Sequence, residues 1–289
     1  MAYTPGTDID GRQATLGTLR LGAVDSAGVA WFLQSLEGWD SSEVRSEFQD
    51  READHGAWAS PVYLGSRPVS LGGTVEAPDR ASLDTALDTL YAAAALTDTT
   101  LTVWETTPKQ ATVRRSGKVL AQPVTDRTAT WSVLMTAADP RRYGTTLQSG
   151  TTGLPATTGG LTWPITFPVT FSATTVSGQI NAVNSGTLDT RPVLTITGPV
   201  VAPTVSALYP DGSVRQLVYS QDLVSGDVLV IDTDAHTVVL NGSTSRRRFM
   251  TVSGGWPTIP AGSSVNYQFQ SGTYNATATL TAAWRSAWM

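Results

Sequence analysis

The 289-residue sequence has no cysteine and only two histidines, His55 and His236. Disulfide frameworks, thiolate metal sites, cysteine nucleophiles and redox switching are thereby excluded, and little is left for a histidine metal site or a proton relay. Lysine is equally scarce: Lys109 and Lys118 both fall in the first half. The second half can supply neither a Schiff base nor a P-loop lysine, nor a Lys–Asn isopeptide cross-link. Charged residues make up only 15% of the chain. No apolar run approaches the roughly 18 residues of a membrane-spanning helix. The opening MAYTPGTDIDGR shows neither the basic nor the apolar region of a signal peptide, so none is expected.

What the chain has instead is threonine, 26 Gly, 16 Pro and a 40% hydrophobic fraction, a mixture that favours strands and turns. At roughly 150 residues per domain the length suggests two domains, each large enough for its own core. Residues 1–145 carry 13 Lys+Arg against 18 Asp+Glu, while residues 146–289 carry six of each, so the formal charge of -5 belongs to the first half. A general nucleic-acid binder would show the opposite sign.

Alternation at the strand period marks Ala14 to Ala23 and Val29 to Leu36, expected as a hairpin about Asp25–Gly28, then Arg67 to Ala77 with a bend at Gly72-Gly73. The period changes after Pro78-Asp79, where Leu83, Leu87, Leu90 and Tyr91 recur at helical spacing with Asp84 and Asp88 between them. Strands resume at Thr100 to Trp104, Ala111 to Arg115, Lys118 to Pro123 and Arg127 to Ala137. The unit is expected to end near Asp139-Pro140-Arg141-Arg142-Tyr143-Gly144, giving a first domain over 1–144. Residues 145–162, rich in Thr, Gly and Pro, show no period and read as a linker or arm. Residues 163–289 read as an all-β sandwich or jelly-roll of short strands, with Asp211-Gly212 and Asn241-Gly242 as hairpin turns.

Few residues offer chemistry. Asp227, Asp232 and Asp234 lack the glycine and closing glutamate of a calcium loop and read as turn acids. Asp54-His55, near Glu47, Asp50, Arg51 and Glu52, could form a carboxylate–imidazole pair, but no nucleophile stands in a recognisable setting and the segment reads as a polar loop. No enzyme activity and no cofactor are expected. Arg246, Arg247 and Arg248 are candidates for a phosphate or a carboxylate-rich partner surface. Of nine tryptophans, Trp31, Trp104 and Trp131 fall on strand patterns, whereas Trp163, Trp256, Trp284 and Trp288 are candidates for glycan stacking or a subunit interface.

In order, the segments Gly38-Trp39-Asp40-Ser41-Ser42-Glu43-Val44-Arg45, Arg51…Asp54-His55-Gly56-Ala57 and Ser66-Arg67-Pro68-Val69-Ser70-Leu71-Gly72-Gly73-Thr74-Val75 lead into the helix, and Asp139-Pro140-Arg141-Arg142-Tyr143-Gly144 closes the unit. Asn184-Ser185-Gly186, Arg191-Pro192-Val193, Ile196-Thr197-Gly198-Pro199, Gly226-Asp227, Leu240-Asn241-Gly242 and Trp256…Pro260-Ala261-Gly262 follow. Over nearly the whole chain this resembles the Dit-like distal tail proteins of long-tailed phages. The resemblance implies a tail-tube-like β-sandwich with one flanking helix, followed by a galectin-like β-sandwich. It implies a homo-hexameric ring at the distal tip of the virion tail, made in the host cytoplasm, lining the channel for DNA without binding it specifically. Expected partners are the tail tube protein and a tail-tip hub or tail-associated protein, with tape-measure and receptor-binding proteins beyond them, and no membrane insertion. The alternative is a tip module that recognises host-wall glycan.

Overall fold

The computed structural model describes residues 3–158 and 174–289. The chain divides into two compact units, Met1–Thr145 and Thr146–Trp288. Both are built of strands, with one α-helix among the described residues.

In the first unit, β1 (Gln13–Leu16) and β2 (Leu19–Leu21) form a tight hairpin, with Leu16 opposite Leu19. The sequence pattern read Ala14 to Ala23 as one strand; Gly17, at φ +59°, breaks it with a two-residue turn that only a residue tolerant of positive φ makes cheaply. Strands β3 (Ala23–Val24) and β4 (Ala30–Glu37) then pair about the turn at Asp25, whose Oδ1 accepts the N–H groups of Ala27 and Val29.

Four short strands follow: β5 (Val44–Arg45), β6 (Phe48–Asp50), β7 (Ala57–Ala59) and β8 (Tyr63–Leu64). The long strand β9 (Arg67–Glu76) leads to helix α1 (Arg80–Ala93). Beyond it lie β10 (Thr99–Trp104), β11 (Lys109–Arg115), β12 (Leu120–Pro123), β13 (Thr128–Ala137) and β14 (Arg142–Gly144). The main path of paired strands runs β2-β1-β10-β11-β13-β9-β4-β3. Its two ends are consecutive in the chain, separated by Gly22 alone, so the path folds back into two layers around one core. Strand β13 shows why: Ala129, Trp131, Val133, Met135 and Ala137 point inward, and Trp31 meets Trp131 edge to face at 6.4 Å. Asp79 caps α1 by accepting the Ser82 N–H at 2.8 Å. The helix buries Leu83, Ala86, Leu87 and Leu90, leaving Asp84 and Asp88 in water; Tyr91, expected on the apolar stripe, is exposed.

The second unit is a two-sheet sandwich. Its strands are β15 (Gln148–Gly153), the ribbon β16 (Ala156–Thr158) and β17 (Thr174–Val176), β18 (Gln179–Asn184), β19 (Val193–Thr197), β20 (Thr204–Leu208), β21 (Val214–Tyr219), β22 (Val228–Asp232), β23 (Thr237–Leu240), β24 (Thr244–Ser245), β25 (Met250–Ser253), β26 (Ser263–Gln270) and β27 (Thr279–Trp284). One sheet runs β15-β27-β19-β22-β23-β24 and the other β18-β26-β20-β21-β25. Leu194, Ile196, Leu229, Ile231, Leu280 and Ala282 from the first face Ala182, Val205, Leu217, Val265, Tyr267 and Phe269 from the second.

The segment read as a linker over 145–162 departs from that reading in its described part, residues 159–162 lying outside the described residues. Residues 148–153 pair along their whole length with β27, from Gln148 opposite Trp284 to Gly153 opposite Thr279. Their periodicity is hidden because the layer beside them leaves no room for a side chain. A Cβ on Gly150 would stand 2.5 Å from Ile180 Cγ2.

Candidate binding surfaces

Two surfaces stand out, one on each unit. In the first unit, β5 pairs with β8 and β6 with β7, and the bonds between them continue from Gly65 N–H to Glu43 O and from Ser60 N–H to Glu47 O. The result is one hairpin arm whose strands run roughly 25 Å at the usual strand rise. The stretch read as a polar loop is its outer half. Its carboxylates are spread along a ribbon instead of gathered about His55, and Asp54 accepts the N–H of His55 and sits 3.5 Å from Arg51. Residues 38–66 hold six Asp/Glu and two Arg, a net -4. The same arm exposes Val44, Phe48, Trp58, Val62 and Tyr63, each between 58% and 65% accessible. Such a concentration of large apolar side chains on a ribbon marks an interaction surface.

The arm springs from a buried arginine. Arg67 is fully buried, and its guanidinium donates to the carbonyls of Pro140 at 2.8 Å, Trp39 at 2.5 Å and Gly38 at 3.3 Å, while Nη2 has no acceptor. Burial first, then the charge of Arg142, lowers its pKa to about 10, so it stays cationic at neutral pH. Gly38 completes the joint, because a Cβ there would lie 2.0 Å from the Pro68 carbonyl. Trp39, also buried, donates from Nε1 to Glu105, which Lys109 meets at 2.6 Å. Burial pushes the Glu105 carboxyl up, but the hydrogen bonds from Lys109 and Trp39 and the nearby cations outweigh it, leaving the group below its ordinary value. Tyr143 donates to Asp139 at 2.6 Å and is pushed up by burial and by that carboxylate. The Asp139–Gly144 motif is thus part of the anchor that holds the arm's root.

In the second unit, the three-residue arginine run and one of the candidate tryptophans come together. Trp256 is half-buried, His236 stacks on it at 4.7 Å with the rings 10° from parallel, and the Arg247 guanidinium carbon lies 5.0 Å from its ring centre. Arg247 Nη1 donates to the Met250 carbonyl at 2.9 Å. Arg215, not singled out by sequence reasoning, donates from Nη1 to the Trp256 carbonyl at 2.8 Å and lies 5.0 Å from the Tyr209 ring. Arg246 and Arg248 approach the Phe249 ring at 5.7 and 4.5 Å. No signal in the sequence joins positions 215, 236, 247 and 256, which only the fold makes neighbours.

The other candidates are placed differently. Trp284 is a core residue whose indole N–H donates to the Val183 carbonyl at 2.8 Å, which removes it from the surface. Trp288 is half-buried, and Trp163 lies outside the described residues. Asp227, Asp232 and Asp234 do not converge. Asp227 binds Asn241 and the Val224 N–H, Asp232 accepts two turn N–H groups, and Asp234 pairs with Arg191. Among the described residues no group of three His, Asp or Glu is arranged to hold a metal.

Residues 185–288 match the family model described as the C-terminal domain of siphovirus-type tail components. The chain is similar, over most of its second unit, to the C-terminal domain of siphovirus-type tail components. Its fold agrees with that of SPP1 Dit, titled a paradigm of the hub adsorption apparatus in phages infecting Gram-positive bacteria, at TM-score 0.65 and 11% identity over 97% of this chain and 100% of that one. Two structures of the phage P2 baseplate in its activated conformation, with calcium and with strontium, match at TM-scores 0.51 and 0.52 with 11% and 12% identity, each over 94% of this chain and 98% of theirs. No curated protein sequence matches. No helix is long and apolar enough to cross a membrane among the described residues.

Proposed function

We propose that this Dit-like chain works by assembling: six copies close a ring at the distal end of the tail, the first unit forming the ring wall. The observation that carries this is the arm, whose exposed Phe48, Trp58 and Tyr63 find no core of their own and whose root is fixed by a buried cation. A neighbouring copy is the occupant that suits it, because a repeated heterologous contact buries the same arm in every subunit and leaves no open end. The acidic balance of residues 1–145 suits a passage through which DNA moves without adhering. The second unit, with balanced charge, then faces tube, hub, tape-measure or receptor-binding proteins.

Electron microscopy and native mass spectrometry of the full chain test the reading. Six-fold rings are expected, and the double variant Phe48→Ser/Trp58→Ser should stay folded by circular dichroism yet remain monomeric. Monomers at every concentration of the unaltered chain, or a ring with a basic inner wall, would count against it.

A further inference from the structure

The arginine–aromatic cluster of the second unit has a use that ring assembly does not require. The unit carries six arginines and six acids, yet Arg215, Arg246, Arg247 and Arg248 make no ion pair with a carboxylate among the described residues, whereas Arg191 is paired with Asp234. The neighbouring acids make their hydrogen bonds elsewhere: Asp211 accepts from Ser213, Asp227 from Asn241 and the Val224 N–H, and Asp232 from the turn N–H groups ahead of His236, while Asp234 pairs with Arg191. Arg215 and Arg247 are both held by Nη1 to backbone carbonyls and by their faces to aromatic rings, which leaves Nη2 of each for a ligand. Two guanidinium forks held in place in this way lose little freedom on gripping an oxyanion. His236 lying flat on Trp256 adds a two-ring platform beside the cations, on which the C–H face of a sugar can pack. Exposed Ser243, Ser245, Ser253 and Gly254 flank the cluster in sequence and offer hydroxyl and backbone partners.

We propose that Arg215, His236, Arg247 and Trp256 form a binding site for a phosphate group carried on a saccharide. A nucleic acid is the weaker fit, because a unit of balanced charge lacks the run of phosphate contacts that such binding needs. An acidic protein surface would want a central apolar anchor.

The test uses the full chain, with glucose 6-phosphate, glucose and inorganic phosphate as probes, followed by saturation-transfer proton NMR and phosphorus-31 line broadening. Glucose 6-phosphate should bind about ten times more tightly than either fragment, and Arg247→Gln should weaken it about tenfold while Arg191→Gln leaves it unchanged. An unaltered thermal transition in Arg247→Gln excludes misfolding as the cause. Equal binding of inorganic phosphate overturns the saccharide part. No binding by any probe up to about 20 mM, or displacement by poly-glutamate with no effect of the sugar, overturns the site. Ring formation, read on the same sample by native mass spectrometry, stands or falls independently of these outcomes.

Discussion

In each unit one buried polar side chain gathers several backbone groups, and the two differ in charge. Arg67 in the first unit is a cation held by neutral carbonyls at the root of an arm. Asn184 in the second is neutral and fully buried. Its Nδ2 donates to the carbonyls of Leu188, Ile259 and Pro260, and its Oδ1 accepts from Gly186 and Ala287. An amide can be both donor and acceptor, so it closes several loops of one sandwich upon each other. A guanidinium only donates. It gathers carbonyls from two segments, Gly38-Trp39 and Pro140, and keeps its charge inside, a costlier arrangement that ties the arm's root to the end of the unit. The contrast is between a unit finished in itself and a unit that presents a braced extension.

The largest expected effect tests that contrast at Arg67. Arg67→Met leaves the Trp39 and Pro140 carbonyls buried without a donor and should destabilise the first unit by about 3–4 kcal/mol, with faster hydrogen exchange over 38–66 and an unchanged second transition on urea unfolding. A shift of both transitions together would show that the units do not unfold separately. Asn184→Leu should do the reverse, lowering the second transition by about 3 kcal/mol and sparing the first. Asn184→Asp should be nearly as harmful, since a carboxylate cannot donate to the three carbonyls.

Acid should separate the units more gently. The Glu105 pKa is depressed in the folded state, so its contribution is present above the ordinary carboxylate value and is lost as pH falls through the lower folded one. Hydrogen exchange at Trp39 and along the arm should therefore rise below about pH 4, and a Glu105→Gln variant should lose that dependence. Smallest of all, Asp79→Ala removes the cap of α1, and calorimetry should show a slightly lower first transition with the second unchanged.

Of the two polar hubs only Arg67 was within reach of the sequence pattern. Arg67 shares the inward parity of β9 with Val69 and Leu71, and Asn184 that of β18 with Ile180 and Ala182. A polar residue closing an apolar alternation is a signal of a satisfied buried group, though the alternation in β18 is too weak to be seen beside Asn181 and Gln179. Strand β13 and helix α1 were legible because large side chains repeat at a clean period. Strand β15 was not, since glycine and threonine make its contacts through backbone and small groups. The arm was missed for the opposite reason. Its apolar residues face solvent, so their spacing follows no core. The cluster about Trp256 joins positions up to 41 residues apart, as Arg215 and Trp256 are, and local pattern carries no trace of it.

Strand β27 is paired on one side with β15, from the beginning of its unit, and on the other with β19. During synthesis the second unit lacks an interior strand until translation has passed Trp284. The sandwich therefore closes late, its core complete only when β27 has come between β15 and β19.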